Sequence, residues 1–240
     1  MTIGSPILLL IETSTEVCSV AISSGEEILA SRVLKEPRSH ARVVAPMVSD
    51  LLSERGIDMA EVDGVVVSKG PGSYTGLRVG VSLAKGLCYG ASKPLIAVCS
   101  LELLANLALK QIEGSTLTNL DEKIFIVPMI DARRMEVYTA VYDADCNRLE
   151  PVQALVVDEG SFKSYLERGV VYICGDGSSK VKTIVNHPNA RYLVVESLAT
   201  GMLKRALQKY KEAKFEDLAY FEPFYLKDFI AGIPKKKGLS

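Results

Sequence analysis

The feature that most constrains this chain is an internal repeat. A buried strand that ends in an acid and runs into an alternating strand occurs at PILLLIETST, ending at Glu12 and followed by EVCSVAIS. It recurs at KIFIVPMID, ending at Asp131 and followed by MEVYTAVYD. A second landmark also recurs, a buried strand feeding a Gly-x-Gly turn, at Gly70/Gly72 and again at Gly175/Gly177. Two landmarks repeated in one order imply two like-folded lobes facing each other across a cleft. The two landmarks lie closer together in the second half, which is therefore shorter between them.

Local signals fill in the order. After EVCSVAIS, Ser24-Gly25-Glu26 is a hairpin turn and EILASRVL a third strand. Three strands joined this closely form an antiparallel meander. SHARVVAPMVSDLLSERG is a helix with Ser39 as N-cap and Gly56 closing it, and Pro46 is expected to bend it near Arg42. Its apolar residues Val43, Val44, Met47, Val48, Leu51 and Leu52 make a stripe wider than packing on one sheet requires. VDGVVVS is a strand, a helix spans about Thr75 to Tyr89, KPLIAVCS is a strand, and Ser100 caps LELLANLALKQ.

The second half repeats the pattern. MEVYTAVYD is a strand, Ala144 to Asn147 a turn, RLEPVQALVV a strand, and Ser161 the cap of a short helix. GVVYIC and the amphipathic SLATGMLKRALQKYKEA follow. A meander followed by parallel units predicts an α/β protein in which each lobe has a mixed five-stranded sheet flanked by helices. The polar stretch GSTLTNLDE sets the boundary, giving lobes 1–112 and 113–240. The final helix and tail are free to pack back on the first lobe.

Composition narrows the function. The chain has 240 residues and a net charge of −1, with one basic run, Lys235-Lys236-Lys237, read as a solvated terminus. Nucleic-acid binding by this chain alone is disfavoured, because it rests on basic residues neutralising phosphates. The five cysteines, Cys18, Cys88, Cys99, Cys146 and Cys174, form no CxxC and read as reduced, packed thiols of a cytoplasmic protein. Two histidines, His40 and His187, exclude HExxH and any three-histidine metal site. His187 belongs to a surface turn, and no metal site is expected. The first apolar run, Ile7 to Ile11, is too short for a signal core, and no run is long enough to span a membrane.

Two β-β-β-α-β-α lobes resemble the duplicated actin-like, ribonuclease-H-like fold, in which each lobe's first strand ends in an Asp, usually within Asp-x-Gly-Thr. Here the first lobe reads Glu12-Thr13-Ser14-Thr15, and the second follows Asp131 with Ala132-Arg133-Arg134. Neither retains the glycine that lets backbone amides approach a phosphate. Glu12, Ser14, Thr15, Asp131, Gly175 and Gly177 therefore read as remnants of a nucleotide site, with no cofactor expected beyond weak nucleotide binding. Walker A is absent: five residues on from Gly70 and Gly72 stand Thr75 and Leu77, with no Lys-Ser or Lys-Thr following. The dinucleotide spacing also fails, since Thr75 stands where its third glycine should be.

The helix after this loop, TGLRVGVSLAKGLCYG, carries Gly76, Gly80 and Ala84 on one face, with Gly86 and Gly90 further round. An interior helical glycine costs about 0.5–1 kcal/mol relative to alanine. Such repetition calls for close approach of another backbone, either the protein's own sheet or a neighbouring subunit. Ser73 or Thr75 caps the helix, and Arg78 is its one exposed-looking charge.

In order along nearly the whole chain stand IETSTEVCSVAI, SHARVVAPM, GPGSYTGLRVGVSLAKGL, VCSLELLA, DARRMEVYTAVY and EPFYLK. Together they resemble the TsaB (YeaZ) family. This sequence departs by Glu12 where the family usually has Asp and Lys227 where it usually has Arg. The resemblance implies a subunit with no catalytic residues of its own. It would work with its catalytic paralogue TsaD and the ATPase TsaE to transfer a threonylcarbamoyl group to the adenosine 3′ of the anticodon in ANN-decoding tRNAs. It implies tRNA contact only through that complex, self-pairing when alone, and no membrane. The paralogue holds its metal through paired histidines, which this chain lacks. The partner and dimer surface is expected on Ser39, His40, Val43, Val44, Met47 and Leu51 of one helix and Thr75, Gly76, Arg78, Gly80, Leu83, Ala84 and Leu87 of the other. The competing reading is an ATP-dependent small-molecule kinase or ATPase of the same fold. A metallopeptidase is a third, with no nucleophile–base pair to support it.

Overall fold

A computed structural model describes residues 4–36, 38–114 and 123–227. The linker 115–122 and the tail from 228, with its lysine run, lie outside the described residues. The first lobe comprises β1 (Ile7–Glu12), β2 (Cys18–Ser24), β3 (Glu27–Leu34), α1 (His40–Arg55), β4 (Gly64–Gly70), α2 (Tyr74–Ala91), β5 (Leu95–Cys99) and α3 (Ser100–Glu113). The second comprises β6 (Ile124–Asp131), β7 (Glu136–Thr139), β8 (Tyr142–Asp143), β9 (Gln153–Val156), α4 (Lys163–Leu166), β10 (Val170–Cys174), β11 (Ala190–Leu193) and α5 (Leu203–Lys211), with 3₁₀ turns at Asp176–Val181 and Ala199–Met202.

The duplication is plain in the sheets. The first has the order β3-β2-β1-β4-β5 and the second β9-β7-β6-β10-β11. In both, the first strand pairs antiparallel with the meander and parallel with the later strand. This is the duplicated actin-like α/β fold. Strand β8 is the continuation of β7 after a break at Ala140 and pairs with β6, so the second sheet has five positions although it counts six strands.

Three buried clusters make the layers. Val44, Val48 and Leu51 of α1 and Val81, Ala84 and Cys88 of α2 cover one face of the first sheet, against Leu9, Ile11, Val20, Val65 and Val67. Phe125, Val127, Val137, Val171 and Ile173 form the outer core of the second lobe. The central cluster joins the lobes: Leu101, Leu104, Ala105 and Ala108 of α3 pack with Leu8, Leu10 and Val66 on one side and Ile126, Ile130, Tyr142 and Met202 on the other. A buried leucine in such a layer contributes roughly 1.5–3 kcal/mol, and loss of this helix's apolar face would uncouple the lobes.

Several sequence expectations need correction. Ser39 occupies the N-cap position of α1, but its hydroxyl donates to the Glu36 carbonyl and does not cap. Cys99, not Ser100, precedes the first turn of α3. Ser161 does not cap α4; its hydroxyl turns back to Asp158, and Phe162 stands at the N-cap in a left-handed conformation. The strand expected over RLEPVQALVV is limited to Gln153–Val156, because Pro151 has no N–H to give a ladder. The final helix begins only at Leu203, after a 3₁₀ turn. Strand β11 was not anticipated. The expected turn at Gly56 is present, with φ 62° and its N–H reaching back to the last carbonyls of α1.

Candidate functional site

Two regions bear on function: the ends of the first strands, where the nucleotide remnants lie, and the outer surface of α1 and α2.

At the end of β1, Glu12 has no solvent exposure. Its Oε1 accepts from the Ser14 N–H at 2.5 Å. Burial pushes its carboxyl above the ordinary glutamate value of 4.5; the Ser14 N–H opposes the rise, and the neighbouring Ser14, Ser68 and Ser197 hydroxyls do so without completing a hydrogen bond, leaving Oε2 and all three hydroxyls unpaired. Ser197 comes from the second lobe, so this carboxyl sits at the seam between lobes. Thr13, Ser14 and Thr15 are buried as well. The Gly-rich loop closes over them: the Ser73 N–H donates to the Ser14 carbonyl at 2.7 Å, and the Thr13 hydroxyl donates to the Gly76 carbonyl at 2.8 Å. A Cβ at Gly72 would fall inside 3.0 Å of the Ser14 carbonyl oxygen, and one at Gly76 would do the same at the Thr13 carbonyl oxygen. The loop that resembled a phosphate cradle thus holds this chain's own backbone.

The second lobe's remnant is likewise occupied. Lys180 pairs with Asp131 at 2.5 Å and donates to the Arg134 carbonyl at 2.7 Å. The Asp176 carboxylate accepts from the Asp131 N–H at 3.0 Å, and desolvation pushes its pKa above the ordinary value of 3.8. Gly175 and Gly177 face the chain's own β6: their absent Cβ atoms would meet the Met129 carbonyl and the Ile130 backbone. Among the described residues no group of three His, Cys, Asp or Glu side chains could hold a metal. No helix of the described residues is long and apolar enough to cross a membrane.

The helix surface divides differently from the sequence expectation. Gly76, Gly80 and Ala84 face inward: the Gly80 position is filled by the Thr13 side chain, and Ala84 is fully buried. Val44 and Leu51 lie in the core, and Ser39 and His40 are buried. These seven residues are therefore not surface for a partner; the nearby backbone that the glycines admit is the Thr13–Ser14 loop, brought in by the fold. Val43, Met47, Leu83 and Leu87 are half-buried around that core, and α1 and α2 pack side by side. Thr75 and Arg78 are exposed. Ser82, Gly86 and Gly90 are exposed too, and nothing lies within 4 Å of a Cβ built on either glycine.

The tail forms a strap along the flank of α2. The Glu216 N–H donates to the Leu95 carbonyl at 2.9 Å and the Phe224 N–H to the Lys69 carbonyl at 2.7 Å. Lys85 holds the Phe221 carbonyl at 3.0 Å. The Tyr225 ring lies 4.6 Å from that of Tyr74, and Arg78 stands 4.3 Å over Tyr74 while donating to the Tyr225 hydroxyl at 3.2 Å. Lys227 then reaches the second lobe and pairs with Glu136. Up to residue 227 the tail thus packs back on the first lobe, as the sequence allows, while the Tyr225 contacts with Tyr74 and Arg78 join residues too distant in sequence to be read from EPFYLK.

Known proteins now decide the family. The family model described as "TsaD: tRNA N6-adenosine threonylcarbamoyltransferase" matches residues 27–161. The Escherichia coli K12 "tRNA threonylcarbamoyladenosine biosynthesis protein TsaB" is 30% identical over 231 residues, covering 93% of this chain and 96% of that protein. The chain belongs to the TsaB family. The TsaB protein of Bacillus subtilis is 35% identical over 145 residues, 60% of this chain and 58% of that one. The solved structure "YeaZ from Pseudomonas aeruginosa" superposes with a TM-score of 0.78 at 27% identity, covering 92% of this chain and all of that one (100%). TsaB relatives are thus named for tRNA threonylcarbamoyladenosine biosynthesis, and membership places this chain in that role.

Proposed function

We propose that this chain is a non-catalytic subunit that docks to TsaD and, with the ATPase TsaE, supports transfer of a threonylcarbamoyl group to the adenosine 3′ of the anticodon in ANN-decoding tRNAs. Alone, it pairs with a second copy through the same surface. It acts in the cytoplasm, and it binds no nucleotide tightly, since both remnant sites are filled by the chain's own atoms.

The observation that carries the docking reading is the open strip of α2. Thr75, Ser82, Gly86 and Gly90 are exposed at helical spacing, between the strap on one flank and α1 on the other. Among the described residues nothing lies within 4 Å of a Cβ built on Gly86 or Gly90, yet each costs about 0.5–1 kcal/mol of helix stability relative to alanine. A partner backbone approaching closely gives that cost a purpose. Half-buried Val43, Met47, Leu83 and Leu87 border it with apolar area left to bury.

The test is Gly86→Leu, which adds bulk where no described residue stands. Co-migration with TsaD on size exclusion is expected to be lost while the melting temperature holds. A Gly86→Leu protein that still assembles with TsaD as wild type does would sink the docking reading.

A further inference from the structure

We propose that Glu12 is a proton-operated latch between the lobes: with a proton on its carboxyl it holds the crossover segment 195–199 on the first sheet, and ionised it lets that segment open to water. The proposal stands apart from the docking reading, because it concerns the seam between the lobes and not the surface of α2.

The fold gathers unpaired oxygens at one buried place. Strand alternation puts Leu8, Leu10 and then Glu12 on one face of β1, and Val66 and then Ser68 on the same face of its parallel neighbour β4. That face is the apolar layer between the lobes, and Glu12 and Ser68 end it. The chain leaving β11 crosses there with Val195, Ser197 and Ala199 buried. The Ala199 N–H donates to the Ser19 hydroxyl at 3.1 Å, and Lys35 holds Glu196 at 2.6 Å. Ser19 is the antiparallel partner of Glu12, so the crossover lies over the carboxyl. Glu12 Oε2 and the hydroxyls of Ser14, Ser68 and Ser197 are buried, and none has a hydrogen-bond partner among the described residues.

Chemistry selects a proton for this cluster. Among the described residues no lysine, arginine or histidine forms an ion pair with Glu12. The ionisable groups on the elements around it are neutral or engaged elsewhere. Cys18 on β2 has a thiol pushed up to about 11 by burial and by the Glu12 charge. Lys69 on β4 acts on Cys99, Glu102 of α3 pairs with Arg205, and Arg78 and Lys85 of α2 hold the strap. Glu16, in the turn after β1, acts on Asp176. A buried carboxylate without a cation is costly. It only accepts hydrogen bonds, whereas the acid adds an O–H donor. Protonated, Oε2 donates into the hydroxyl cluster, and the hydroxyls, being donors and acceptors, pass the bonds on to Ser197. Burial raises this carboxyl above 4.5, which sets the direction. Closing the seam takes up a proton, so closure is firm below the ordinary value and weakens as pH rises toward the folded one.

Hydrogen exchange of the full chain tests it, read as protection factors from about pH 5 to about pH 8 so that the intrinsic pH dependence is removed. In wild type, protection over 195–203 should fall as pH rises, by up to about tenfold for each unit between the open and closed values, and more than over β10. Glu12→Gln, neutral at every pH, should be flat and should match low-pH wild type. Ser197→Ala should lose protection over 195–203 chiefly at low pH, and it decides alone if Glu12→Gln fails to fold. An equal fall in wild type and Glu12→Gln, an equal fall over 195–203 and β10, or unchanged low-pH protection in Ser197→Ala would each overturn the latch.

Discussion

Gly76 and Gly86 stand on the same helix, and the structure assigns the same substitution opposite signs at the two. At Gly86 an added Cβ meets nothing within 4 Å. Gly86→Ala should therefore give back the ordinary helix cost of glycine and stabilise the chain by about 0.5–1 kcal/mol. At Gly76 the Cβ would fall inside 3.0 Å of the Thr13 carbonyl oxygen and within 3.3 Å of the Ser73 side chain. The Thr13 oxygen belongs to backbone, and the Thr13 hydroxyl and Ser14 carbonyl tie that loop to α2 at 2.8 and 2.7 Å. Nothing there can rotate away, so the helix and loop must separate. Overpacking of this kind costs about 1–3 kcal/mol, which exceeds the propensity gain, and strain on either hydrogen bond adds about 0.5–1.5 kcal/mol. The net expectation is a loss of roughly 1–3 kcal/mol. For a chain of this size that is about 2–4 °C in melting temperature per kcal/mol. Thermal unfolding followed by circular dichroism should raise Tm for Gly86→Ala and lower it for Gly76→Ala. A rise at both positions would refute the claim that α2 is pressed against the Thr13–Ser14 loop.

Other outcomes follow from the same geometry. Val44→Asp and Gly80→Leu should unfold the first lobe, because both sites lie inside its core and an unpaired buried charge costs several kcal/mol; a folded Val44→Asp protein by circular dichroism would contradict this. Glu12 has a raised folded pKa, so its stability contribution is intact below the ordinary value of 4.5 and is lost as pH climbs toward the folded value. Glu12→Gln should consequently match wild type near pH 4 and gain in relative Tm toward pH 8, whereas an equal difference at both pH values would count against the buried carboxyl. Tyr225→Ala removes the partner of Tyr74 and Arg78, and limited proteolysis should then cut faster within residues 216–227 with global Tm little changed.

Much of the fold was legible because it rests on local pattern. Alternation and apolar runs located β1, β2, β4, β6 and β10, and the repeated acid at Glu12 and Asp131 exposed the duplication. What escaped depends on partners distant in sequence. Strand β11, with none of its four residues buried, is defined by its parallel register with β10 and has no strong period of its own. Ser100 looked like a cap by residue type, but the chain turns one residue earlier.

The site divides along the same line. The loss of the phosphate loops was readable from Ser14 and Arg133, because a missing glycine is a local fact. The direction of the glycine face was not. Gly76 and Gly80 called for a close neighbour, and that neighbour is Thr13, from a loop on another strand. Lys180 covering Asp131 is equally invisible along the sequence. Gly86 and Gly90, secondary in the sequence pattern, are the helix glycines left without a neighbour among the described residues.

The central claim is that this chain acts by docking and contributes no reacting group. Reconstituted tRNA threonylcarbamoylation, with TsaD and TsaE constant and this chain supplied as wild type, Gly86→Leu or Asp131→Ala, tests it most directly. The account predicts full modification with wild type and Asp131→Ala, and loss with Gly86→Leu or when the chain is omitted. Full activity with Gly86→Leu, or loss confined to Asp131→Ala, would contradict it.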